Sequence, residues 1–86
     1  MLFHRLSEGA LTTVEITATA FRDDSSAELV TITELSFDEC RLSSRATFKP
    51  GERLRLYLSG QGWIEAQVQW TSGALTGVTF ETESRV

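Results

Sequence analysis

Apolar and polar positions alternate along residues 12–21. Val14, Ile16, Ala18 and Ala20 fall on one face, and Glu15, Thr17 and Thr19 fall on the other. A period of two with β-branched residues predicts a half-buried strand. Residues 28–35 repeat the pattern with Val30 and Ile32 inward, and Cys40 and Leu42 continue it after a kink. Leu54, Leu56 and Leu58 then alternate against Arg53, Arg55 and Tyr57. Ile64, Ala66, Val68 and Trp70 alternate against Glu65, Gln67 and Gln69, which assigns Trp70 to the inner face and turns Trp63 outward. Val78 and Phe80 close the last strand before a short polar tail.

Turn residues punctuate these segments. Arg22-Asp23-Asp24-Ser25-Ser26, Ser59-Gly60-Gln61-Gly62 and Thr71-Ser72-Gly73 read as turns. In Lys49-Pro50-Gly51-Glu52, proline presets φ at the first central position and glycine supplies the positive φ of a type II turn at the next. Residues 1–11 form an arm in which Leu2, Phe3 and Leu6 make either one face of a helical turn or an extended segment packed on the barrel; Ser7-Glu8-Gly9 breaks the pattern. Six or seven strands with no long helix predict an all-β fold, an antiparallel barrel or small sandwich. The barrel spans residues 12–83 of one single domain, without repeats or low-complexity stretches.

Composition narrows the functional classes. At 86 residues, 41% hydrophobic and 23% charged, the chain is globular in type. Its length allows it to bury only about 60–65% of the surface its unfolded form exposes. A net charge of −4 does not attract a polyanion, so no general nucleic-acid binding is expected. One cysteine, Cys40, forms no internal disulfide, and with a single histidine, His4, no Cys/His metal site is expected. Cys40 reads as a small core residue. No apolar run reaches signal-peptide or membrane-span length, so the cytoplasm is the expected location and no membrane partner is expected. There is no phosphate-cradling glycine loop and no nucleophile paired with a base. The chain is expected to be no enzyme and to carry no cofactor.

A set of short motifs says more. Glu34-x-Ser36 ends a strand, and Cys40-Arg41-Leu42, Pro50-Gly51-x-x-Leu54-x-Leu56, Val68-x-Trp70 and Gly77-Val78-x-Phe80 follow in order. In that order and spacing, residues 14–83 resemble the PilZ domain, the small β-barrel of bacterial cyclic di-GMP signalling. The resemblance implies a six- or seven-stranded antiparallel β-barrel and a non-enzymatic bacterial signalling module.

Members of that family hold cyclic di-GMP with Arg-x-x-x-Arg before the first strand and Asp/Asn-x-Ser-x-x-Gly at the end of an early one. The second motif aligns with residues 34–39. Ser36 matches, Glu34 keeps an acceptor but moves it by one methylene, and Glu39 stands where the family has glycine. Glu39 places a Cβ and a negative charge where phosphates would sit, with Asp38 beside it. The first motif is absent, because Arg5 is the sole arginine before the first strand. Arg41 and Arg45 have the right spacing, but they follow the second motif, lie along a strand and read as surface charges. The resemblance therefore implies a degenerate member whose candidate ligand-binding residues are Arg5, Glu34, Ser36 and Glu39.

Two further readings concern the outer surface. Arg53 and Arg55 share an outward face and are expected to pair with acids such as Glu65. Trp63 at a strand start is either a partner-binding anchor or is covered by a bulge or the arm. The expected action is through a protein partner; a genuine cyclic di-GMP receptor using Arg5 and Ser36 is the alternative. A homodimer is compatible with both.

Overall fold

The alternating segments become β1 (Thr12–Arg22), β2 (Ala27–Leu35), β3 (Glu39–Ser43), β4 (Arg53–Leu58), β5 (Gly62–Ser72) and β6 (Leu75–Phe80). The computed structural model describes residues 11–81; all of the expected arm except Leu11, and with it Arg5, lies outside the described residues. Every pairing is antiparallel, and the strands close a barrel in the order β1-β2-β3-β6-β5-β4. Hairpins join β1 to β2, β2 to β3, β4 to β5 and β5 to β6. The β3–β4 connection, residues 44–52, is the exception, because it crosses one end of the barrel. Two seams therefore join strands distant in sequence, β1 with β4 and β3 with β6. No helix among the described residues is long and apolar enough to cross a membrane.

The turns follow from their residues. The Lys49–Glu52 turn closes with the Glu52 amide donating to the Lys49 carbonyl (2.9 Å), and Gly51 has φ +91°, as the Pro-Gly pair predicts. The kink expected before Cys40 is a full reversal: the Ser36 amide donates to the Glu39 carbonyl (2.9 Å), and β2 and β3 pair as a hairpin. At the β1–β2 turn Ser25, with φ 74°, is the one non-glycine with positive φ among the described residues.

Alanine and large aliphatic side chains share the narrow interior. Ala18, Ala20 and Ala66 leave room for Ile32, Leu42, Leu54, Leu56, Val68 and Val78, all buried. Each large aliphatic side chain buried here contributes roughly 1.5–3 kcal/mol. Cys40 is also buried, and burial pushes its thiol up to about 12, which leaves no reactive thiolate near neutrality.

Phe48 belongs to no strand, yet it is 2% exposed and part of the core. It seals the barrel end that the β3–β4 loop crosses. Arg22, at the end of β1, lies over it with its guanidinium 4.7 Å from the ring centroid. The same guanidinium donates to both carboxylate oxygens of Glu52 (2.6 and 3.0 Å) and to the Thr47 carbonyl (2.8 Å). Glu28 approaches from β2 at 3.6 Å. One side chain thus ties β1 to both arms of the loop.

Hydrogen bonding from Arg22 holds the Glu52 carboxyl below its ordinary 4.5. A depressed carboxylate stabilises the fold above its unfolded pKa, and that contribution is lost as pH falls through the folded value. Thermal melts should therefore show the native chain more stable than Glu52→Gln at neutral pH. The difference should close as pH drops below 4.5. A gap that persists in acid would assign the effect to shape rather than charge.

Candidate functional site

The segment at residues 34–39 lies at the barrel end opposite Phe48, where the chain also enters β1: Thr12 pairs with Leu35. Its polar groups are engaged within the chain. The Ser36 hydroxyl donates to Asp38 Oδ1 (2.8 Å) and accepts from the Glu39 amide (3.2 Å). These bonds fold the hydroxyl into its own turn, a local competition that serine favours. Phe37 projects from the tip, 69% exposed. Glu39 is half-buried and has no positive φ. Its backbone conformation here does not call for glycine.

Glu34 lies on the outer face, although alternation from Val30 and Ile32 would send it inward. One extra residue on β2 between Ile32 and Glu34 shifts the register, so that Glu34 sits opposite Arg41. Arg41 donates to Glu34 Oε1 at 2.8 Å. The pair is more than one-third exposed at both partners, so it is worth only about 0.2–1 kcal/mol. Its effect is positional, because it holds the carboxylate against β3.

A second shift of the same kind corrects the assignment of Trp70. Val68 pairs with Val78 and Trp70 with Gly77, leaving Gln69 as the extra residue. A bulge of this kind reverses the facing of everything after it. Trp70 therefore lies outside the barrel rather than in its core, 38% exposed. Its ring rests on Gly77, where a Cβ would fall 2.3 Å from the indole. Arg41 closes the row, 5.6 Å from the indole centroid. Two bulges thus place Glu34, Arg41, Gly77 and Trp70 on one outward line across β2, β3, β6 and β5.

The electrostatics of this end are acidic. Glu34, Asp38 and Glu39 cluster within six residues, and the nearby cation, Arg41, is already paired with Glu34. Arg45 does not join Arg41, because β3 ends at Ser43 and Arg45 lies beyond it. An open groove of about 420 Å³ lies at the far end, lined by Arg22, Asp23, Asp24, Lys49, Pro50 and Glu52. Its arginine and Glu52 satisfy each other. No cluster of metal-ligating side chains occurs among the described residues.

On the opposite outer surface Trp63 points away from the core, 52% exposed. It packs against Phe21 and Tyr57 at centroid distances of 5.3 and 5.0 Å. Arg55 lies over its ring at 4.7 Å rather than pairing with Glu65. Arg53 donates to Glu81 (2.7 Å). Sequence reasoning missed Phe21 and Tyr57 as neighbours of Trp63, although outward positions on adjacent strands were the available signal. It also missed the Arg41–Trp70 row, for which glycine inside the last strand was the one clue.

No protein-family model matches the chain, and no curated protein matches it. Among solved structures, the crystal structure of the PilZ domain of CeSA from a cellulose-synthesizing bacterium is similar. It superposes with a TM-score of 0.74 at 11% identity, covering 88% of this chain and 84% of that one. At that identity the likeness speaks for architecture alone, and it agrees with the closed six-stranded barrel. The chain has a PilZ-type fold.

Proposed function

We propose that this PilZ-type barrel is a non-enzymatic bacterial signalling module of the cytoplasm. It acts by contacting protein and does not hold cyclic di-GMP through the usual pair of motifs. The observation that carries this reading is the engagement of the motif's own groups. The Ser36 hydroxyl is folded onto Asp38 and the Glu39 amide, and the Glu34 carboxylate is held by Arg41. A dianionic ligand would have to break these bonds and approach three carboxylates. The exposed Trp63 supports the protein-contact half of the reading, since large aromatic side chains dominate binding energy at interfaces.

Calorimetric titration with cyclic di-GMP tests the reading. The expected result is no heat beyond dilution at ordinary protein concentrations. Micromolar binding that is abolished by Arg5→Ala or Ser36→Ala would overturn it and make the chain a genuine receptor. Ser36→Ala needs a parallel melt, because the hydroxyl also closes the β2–β3 turn.

A further inference from the structure

Two rows of side chains cross the outer face of β1, β4 and β5. One is Thr19, Tyr57 and Trp63, and the other is Phe21, Arg55 and Glu65, in register. Tyr57 is 39% exposed and Trp63 52%. Arg55 and Glu65 sit directly opposite each other on neighbouring strands, an arrangement that ordinarily yields a cross-strand ion pair. None joins them. The guanidinium lies over the Trp63 ring instead. The patch therefore presents one cation, one anion and three aromatic rings side by side.

That composition is self-complementary. Consider a twofold axis running along the strands between β4 and β5. It exchanges the two strands while leaving positions along them unchanged, so each residue faces the register partner of its own copy. Arg55 then meets the partner's Glu65, and Tyr57 meets the partner's Trp63. This is the isologous condition, in which residue i contacts j and j contacts i. Two chains of net charge −4 repel as whole bodies, so a contact between them must supply its own complement. Two Arg55–Glu65 pairs do so.

We infer that a second copy of this chain covers the β4–β5 face, forming a twofold dimer around Trp63, Tyr57, Arg55 and Glu65. This rests on the protein-contact reading above and names the partner.

Sedimentation equilibrium of the full chain across a wide concentration range tests it. The native chain should follow a monomer–dimer equilibrium. Trp63→Ala should weaken the dissociation constant by about thirtyfold. Arg55→Glu and Glu65→Arg should each be monomeric, because each sets like charges face to face. An equimolar mixture of those two variants should re-form a dimer, since the new carboxylate then meets the new guanidinium and the native Glu65 meets the native Arg55. Circular dichroism of each variant confirms that these exposed changes leave the barrel folded. A native chain that stays monomeric, or a mixture that fails to re-form the dimer, would overturn the inference. Neither result touches the nucleotide titration, so self-pairing can fail while the protein-contact reading stands. Micromolar cyclic di-GMP binding would remove that reading without altering the sedimentation result.

Discussion

Phe48→Ala is expected to lower stability by about 3–5 kcal/mol. The side chain is 2% exposed and makes its contacts from a loop with no ladder of its own. Removing it costs the transfer free energy of a benzyl group and leaves a cavity under Arg22. The guanidinium loses the ring beneath it, and the loop loses its apolar anchor to the core. A domain of this size has a total stability of roughly 4–13 kcal/mol, at about 0.05–0.15 kcal/mol per residue. The substitution therefore removes a large share of it. Urea denaturation should show a lower midpoint with little change in slope. Phe48→Leu should recover most of the loss, because it refills much of the volume. A cost under about 1 kcal/mol would mean that the loop does not seal the core.

Gly77→Ala is the second large effect, and here two terms of opposite sign compete. Replacing a strand glycine by alanine ordinarily gains roughly 0.5–1 kcal/mol, because glycine loses more backbone freedom on folding. At this position the new methyl would fall 2.3 Å from the Trp70 indole, so the ring must lift away from β6. Overpacking of this kind costs about 1–3 kcal/mol, which exceeds the gain. The expected outcome is a net loss of stability, with tryptophan emission shifted to the red as the indole enters water. In a Trp70→Ala background the same change should become neutral or stabilising, since the obstacle is gone. A loss that persists without Trp70 would place the strain in the backbone.

Both bulges explain why the site was only half legible in the sequence. Alternation located β1, β2, β4, β5 and the end of β6, because each buries one face and polar residues hold the other. It cannot register a single extra residue. The insertions near Thr33 and at Gln69 carry no glycine or proline to announce them, so Glu34 and Trp70 lie opposite to where period two sends them. Trp63, ahead of the second bulge, keeps the outward facing that alternation assigns. Phe48 was invisible for another reason. It sits among polar residues in a stretch with no period, and only the closed barrel creates the opening that it fills. Arg22 and Glu52 stand 30 positions apart, so no local spacing marks them as partners.

The loop at residues 44–52 also determines the order in which the molecule can assemble. Strands β1–β2–β3 and β4–β5–β6 are two three-stranded meanders, each built from short-range contacts that close early and cheaply in entropy. The seams between β1 and β4 and between β3 and β6 wait on the longer connection, and their formation limits the folding rate. Until they close, each meander exposes two unpaired edges. A complementary meander from another chain satisfies those edges as well as the one in the same chain. Shortening residues 44–52 would thus convert the barrel into an exchanged dimer, whereas a cut there would leave two fragments able to rebuild it.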